Sequence, residues 1–147
     1  MLLLAPLVGE TPLFQQGVRR LTGAEFSPPV IVTSADFRFI VTEQLAAAGV
    51  DPGAIVIQTA AHNTGPAMLA AALHLANTDA ESLILVAPSD HLVPGSADFR
   101  PAVLRGVAAA RAGQIVAFGI HPTRTETGYG YLELAGPRQG DIAQPLA

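Results

Sequence analysis

Apolar positions along the chain follow two rhythms, helical spacing in some stretches and short unbroken runs in others. Leu13, Phe14, Val18 and Leu21 have helical spacing, with Thr11 placed to cap and Pro12 suited to a first turn, so a helix is predicted with Gly17 as its weak point. Pro28 and Pro29 then introduce Val30 to Thr33, a β-branched run that reads as a strand. Phe37, Ile40, Val41, Leu45 and Ala48 return to helical spacing behind a cap at Thr33 or Ser34, and Gly49 followed by Pro52 ends that helix. Ile55 to Ile57 reads as a second strand. After the polar turn Gln58 to Gly65, Pro66 opens an alanine-rich helix through Leu69, Leu73 and Ala76. Leu83 to Ala87 is a further strand, followed by a helix over Asp98 to Ala112 that buries Phe99, Val103, Leu104 and Val107. Ile115 to Gly119 reads as a buried strand, Tyr129 to Leu134 as an alternating one, and Gly136 to Ala147 as loop.

Strands separated by helices imply an α/β fold, a three-layer sandwich whose mainly parallel sheet has helices on both faces. The run Leu83 to Ala87 has no polar alternation, which suits a strand buried on both faces at the centre of such a sheet. Pro88 stops its ladder. Ser89, Asp90 and His91 then fall at the carboxyl end of the strand, where open α/β sheets bind ligands. On these residues alone, an ordinary turn explains Asp90 and His91 equally well.

A chain of 147 residues, half of them hydrophobic, suits one domain over residues 1–147. The net charge of -4, without a basic run, disfavours nucleic-acid binding. All 8 basic side chains are arginines, so no lysine is available as a phosphate ligand or Schiff base. The chain has no cysteine, which removes disulfides and thiolate chemistry. The apolar stretch Met1 to Val8 lacks a basic lead-in and is broken by Pro6, making it a poor signal peptide, and no stretch has the length of a membrane span. The expectation is a soluble, cytoplasmic protein with no membrane partner.

Three stretches can carry chemistry, each just after or at an expected strand. Asn63, Thr64 and Gly65 precede a helix whose free N–H groups and positive dipole end suit a base, ribose or phosphate, although capping alone explains them too. Asp90 offers a carboxylate that could hold magnesium beside substrate phosphates. In Glu126-Thr-Gly-Tyr-Gly-Tyr131 the glycines allow close backbone approach and the tyrosines add flat, hydrogen-bonding surfaces; the plainer reading is a glycine-containing turn. His62, His74 and His121 lack metal-ligand spacing to one another.

In order and interval these motifs resemble the sugar-nucleotide-forming nucleotidyltransferases, most closely the bacterial mannose-1-phosphate guanylyltransferases. The resemblance begins with Thr11-Pro-Leu-Phe-Gln-Gln16 and continues through Arg38-Phe-Ile-Val-Thr-Glu-Gln-Leu45 and Asn63-Thr-Gly-Pro-Ala67. Pro88-Ser-Asp-His91, Phe118-Gly-Ile-His-Pro122 and Glu126-Thr-Gly-Tyr-Gly-Tyr131 complete it. It implies a Rossmann-like domain that transfers GMP from GTP to mannose 1-phosphate, giving GDP-mannose and pyrophosphate with magnesium as cofactor. It also implies that Asn63, Thr64, Gly65 and Pro66 border the nucleotide, that Asp90 binds magnesium, and that Gly128 and Tyr129 border the sugar. It assigns no catalytic residue, and it leaves homo-oligomerisation open.

The chain departs from the family pattern at Gln58 and Thr59, which stand for a glutamate and proline, at His62, which stands for an arginine, and at Gly65, which stands for an alanine. Nothing corresponds to the family's glycine-rich triphosphate loop or to its later Phe-x-Glu-Lys-Pro stretch. The expectation is therefore an internal piece of the enzyme, with an incomplete sheet and no activity alone. A family member's missing first strand would lie between Val30 to Thr33 and Leu83 to Ala87, a slot these strands, Leu2 to Leu4 or a second chain would have to close. A non-catalytic nucleotide- or sugar-phosphate-binding module and a structural relic are the alternative readings.

Overall fold

A parallel strand pair cannot be joined by a tight turn, so the segment between its strands must cross the sheet, usually as a helix. The chain does this once in full. Strand β1, Val30–Ser34, leads through a 3-10 turn, Ala35–Phe37, into helix α2, Arg38–Ala48, and back to strand β2, Ala54–Gln58. The strands pair in parallel with Ile31 opposite Ile55 and Val32 opposite Val56. Helix α1, Leu13–Arg20, precedes them, and α3, Thr64–Ala76, follows and packs on both strands. The computed structural model describes residues 9–59, 64–94, 96–137, 140 and 143–147. It groups the chain into two compact units, Met1–Pro94 and Gly95–Ala147.

The core of the first unit is where α1 meets α2. Phe14 and Val18 of α1 interlock with Val41 and Leu45 of α2 and with Val50, while Ile31 and Ile55 pack on this cluster from the two strands. Ile31 and Ile55 are a register pair, so one face of the sheet carries both, as the two-residue strand period requires. Polar groups fix how the two helices meet. Gln15, buried, donates from Nε2 to Gln44 Oε1 at 2.7 Å. Arg19 donates from Nε to the Ala48 carbonyl at 3.2 Å and from Nη2 to that of Ala47 at 3.1 Å. Its guanidinium thus satisfies carbonyls that the end of α2 leaves open and places a cation at the negative end of that helix. Gly49 ends α2 at φ 69°, a left-handed conformation that glycine adopts without strain, and Val50 N–H returns to the Leu45 carbonyl at 3.0 Å.

The predicted α1, β1, α2, β2 and α3 are all present, with differences at their ends. Pro12 sits at the N-cap of α1, where the Thr11 carbonyl accepts from Gln16 Nε2 at 2.8 Å. Ser34 makes no side-chain cap, because the 3-10 turn comes between it and α2. Burial is narrower than the spacing predicted: Val41 and Leu45 of α2 are buried, whereas Phe37 falls in the 3-10 turn ahead of the helix and is exposed.

The later strands are where sequence and structure part. Leu83 to Ala87 forms no strand, and Leu83, Ile84 and Val86 are exposed rather than buried on both faces. A strand exists only through a ladder with a neighbour, and this run has none among the described residues. It does not close onto β1, and Leu2 to Leu4 lie outside those residues.

In the second unit a 3-10 turn, Ser96–Asp98, opens helix α4, Phe99–Arg111. Its buried residue is Gly106, where a Cβ would come within 3.1 Å of Phe118 Cζ and Val116 Cγ1. Val103 and Val107 are half-buried and Leu104 is exposed, so the small side of the helix makes the closest contact instead of its large apolar side. Ile115 to Gly119 is not a strand, and Ile115 is 100% exposed. Tyr129 to Leu134 is reduced to an isolated antiparallel bridge between Leu134 and Leu146, flanked by Ala135 N–H to the Pro145 carbonyl and Ala147 N–H to that of Glu133. The expected loop after Gly136 therefore folds back to make this pairing. Among the described residues, no helix is long and apolar enough to cross a membrane.

Leu45 is 1% exposed at the centre of the core. Leu45→Ala is expected to cost about 2–5 kcal/mol of unfolding free energy by chemical denaturation. Phe39→Ala, on the same helix but with its ring 72% exposed and stacked only under the Arg38 guanidinium, should cost less than about 1 kcal/mol.

Candidate functional site

Five residues separate the end of β2 from the start of helix α3, so the helix N-terminus follows the carboxyl end of the sheet. Thr64, Gly65 and Pro66 form its first turn, and all three are exposed. Proline is accepted here because the first N–H groups of a helix have no partner within it. A Cβ at Gly65 would meet nothing within 4 Å, so this turn presents open backbone at the positive end of the helix dipole. Asn63, the expected cap, lies outside the described residues.

The connection from α3 to Asp90 is shaped by polar turns. Thr78 and Asp79 donate their N–H groups to the Leu75 carbonyl, ending the helix. The Asp79 carboxylate accepts from Ser82 Oγ at 2.7 Å and from Glu81 N–H at 3.1 Å, and these donors hold its carboxyl below the usual carboxylate range. The run Leu83 to Ala87 then leads to Asp90, which stands in an exposed turn and makes no hydrogen bond or ion pair with a described residue. A capping or buried structural aspartate would show such partners. The neighbouring backbone is tethered instead: Arg20 Nη2, near the end of α1, donates to the His91 carbonyl at 3.4 Å. Partial burial lowers the pKa of that guanidinium from its ordinary value.

A magnesium ion fits this donor set only in part. Asp90 is a hard oxygen ligand, but no group of three or more histidine, aspartate or glutamate side chains placed to hold a metal occurs among the described residues. Phosphate oxygens of a substrate would have to supply further ligands, an arrangement magnesium commonly adopts.

The third stretch lies in the second unit. Gly128 and Tyr129 occupy a turn between Glu126 and Tyr131, with Tyr129 78% exposed and nothing within 4 Å of a Cβ at Gly130. Neither Gly128 nor Gly130 adopts a positive φ, so what these glycines provide here is room, not an unusual backbone angle. Beside the turn is an open depression of about 370 Å³ lined by Pro122, Thr123, Arg124, Thr125 and Tyr131. The structure thus places Thr64, Gly65, Pro66 and Asp90 in the first unit and Gly128 with Tyr129 in the second. Sequence reasoning missed Arg20, because no local signal announces a contact 71 residues away.

A family model described as nucleotidyl transferase matches residues 3–144. The xanthan biosynthesis protein XanB of Xanthomonas campestris pv. campestris is 41% identical over 138 residues, which is 94% of this chain and 29% of that protein. The mannose-1-phosphate guanylyltransferase of Sinorhizobium fredii is 39% identical over 86% of this chain and 25% of its own length. The mannose-1-phosphate guanylyltransferase ManC of Salmonella typhimurium is 38% identical over 92% of this chain and 28% of its own length. The chain thus spans little more than a quarter of the relatives it matches. No solved structure matches it.

With no partner to lose, Asp90→Asn is expected to leave unfolding free energy within about 0.5 kcal/mol of the parent chain in a denaturant titration. A larger loss would make Asp90 a structural residue.

Proposed function

Because this chain belongs to the nucleotidyl transferase family, we propose that it carries part of the site in which GMP passes from GTP to mannose 1-phosphate. In that reaction a phosphate oxygen of mannose 1-phosphate attacks the α-phosphorus of GTP. A new oxygen–phosphorus bond forms, the bond to the β-phosphate bridge breaks, and pyrophosphate leaves as GDP-mannose is made. No protein nucleophile is needed, so the work is alignment and charge neutralisation. The relatives named mannose-1-phosphate guanylyltransferase support the choice of base and sugar, and the reaction would belong to the cytoplasm.

In this reading the first turn of α3, with Asn63 ahead of Thr64, Gly65 and Pro66, borders the nucleotide and offers backbone N–H groups to it. Gly128 and Tyr129 border the sugar, and the Tyr129 hydroxyl, without a partner among the described residues, is free to hydrogen-bond it. Asp90 would hold magnesium, which when bound neutralises phosphate charge. The observation that carries the reading is Asp90 itself: an exposed carboxylate without a partner among the described residues, three positions after the apolar run Leu83 to Ala87, where a charge without a structural role is available to a ligand.

The 147-residue chain is expected to bind substrates without turning them over, because it has no lysine and, among the described residues, no group of three or more side chains that could hold a metal ion. Calorimetry should show magnesium-dependent GTP binding that Asp90→Asn abolishes, and GDP-mannose should bind more tightly than UDP-glucose or ADP-glucose. Equal affinity for all three sugar nucleotides, or magnesium-dependent GTP binding that survives Asp90→Asn, would sink the reading. Incubated with GTP, mannose 1-phosphate and magnesium, the chain should release no pyrophosphate above a blank.

A further inference from the structure

The turn that presents Gly128 and Tyr129 is closed by its own side chains. The Tyr131 hydroxyl accepts from Glu126 N–H at 2.8 Å and donates to the Glu126 carbonyl at 3.0 Å, so a single side-chain oxygen pins both backbone groups of a residue five positions earlier. Glu126 continues the closure. Its Oε1 accepts from Gly128 N–H at 3.2 Å, and its Oε2 faces Arg124 Nη2 at 3.6 Å. The Arg124 side chain is 82% exposed, so its ion pair contributes little, and the geometry depends on the tyrosine and the carboxylate. At the tip, Tyr129 and the space around Gly130 remain open.

From this geometry we infer that Tyr131 and Glu126 are positioning residues: they hold the Gly128–Tyr129–Gly130 turn in the shape that receives a sugar phosphate, without contacting it through the groups that make the closure. The inference rests on the proposed function and deepens it by separating two tyrosines that look alike in sequence. The only hydroxyl proton of Tyr131 is committed to Glu126, whereas Tyr129 carries, on an exposed ring, a hydroxyl with no partner among the described residues. A turn left to close by backbone bonds alone would sample many shapes. For a ligand that needs one shape, the apparent affinity is reduced by the fraction of chains that are in that shape.

Tyr131→Phe keeps the ring and removes both hydroxyl bonds, and the test is made on the full chain. Backbone amide exchange followed by NMR should show Glu126 N–H exchanging roughly two- to tenfold faster than in the parent, the range expected for one lost hydrogen bond, with the amides of α2 unchanged. Calorimetry should show GDP-mannose binding weakened by a similar factor while GTP binding keeps its affinity. Glu126→Gln, which retains an acceptor for Gly128 N–H but not the charge, should fall between the parent and Glu126→Ala. Unchanged exchange at Glu126 would overturn the closure itself, and faster exchange with unaltered GDP-mannose affinity would overturn its role in binding. Equal weakening of GTP and GDP-mannose binding would assign Tyr131 a general structural role and overturn the inference. If the parent chain binds no GDP-mannose at all, the proposed function fails and takes the inference with it, and the exchange measurement then still reports whether the turn is closed.

Discussion

A β-strand is defined by its neighbour, and this one constraint governs most of what the chain builds. β1 and β2 satisfy it for each other, and the crossover that joins them brings α2 down onto Ile31 and Ile55. Once α2 is seated, Val41 and Leu45 form a surface on which α1 lays Phe14 and Val18. The polar contacts of α1 then follow. Gln15 meets Gln44, and Arg19 reaches the carbonyls at the end of α2 only because the helices already lie together. The core comes from burial and its orientation from these hydrogen bonds, as expected where apolar contact is non-directional and hydrogen bonds are not.

The same constraint explains why apolar surface stays in contact with solvent elsewhere. Leu83, Ile84 and Val86 form a run that in a sheet would be covered on both faces, and Leu69 and Leu73 of α3 are likewise exposed. In the second unit, α4 makes its closest contact through Gly106 against Val116 and Phe118, leaving Leu104 outward. Each of these segments has the composition of a buried element without a neighbour among the described residues that buries it. Asp90 has no partner among the described residues, and the turn at Gly128 is shaped by Glu126 and Tyr131 without help from a sheet.

The candidate groups differ in how they are positioned. The first turn of α3 is held by a helix that packs on both strands, the Asp90 turn is tethered through the bond from Arg20 to the His91 carbonyl, and the Gly128 turn is held by bonds within six residues. Binding sites built on regular elements hold geometry more closely than those on loops. By that measure the first turn of α3 has the firmest support of the three candidate groups.

The sequence by itself determined the elements whose signals are local. Helical spacing at Leu13, Phe14 and Val18 and at Val41 and Leu45, the β-branched run at Val30, and the stop at Gly49 are each readable within a dozen residues, and each is realised. The motif order determined the family in the same way, since Asn63 to Ala67, Pro88 to His91 and Glu126 to Tyr131 are contiguous stretches. Tertiary structure decided what depends on a distant partner. Whether Leu83 to Ala87 and Ile115 to Gly119 become strands turns on the presence of a ladder, and an apolar run states a demand for cover without saying what supplies it. Likewise, that Tyr131 is spent on Glu126 while Tyr129 has no partner among the described residues could not be read from two tyrosines in one motif. Only the closed turn distinguishes them, because a hydroxyl has one proton to give and the fold decides where it goes.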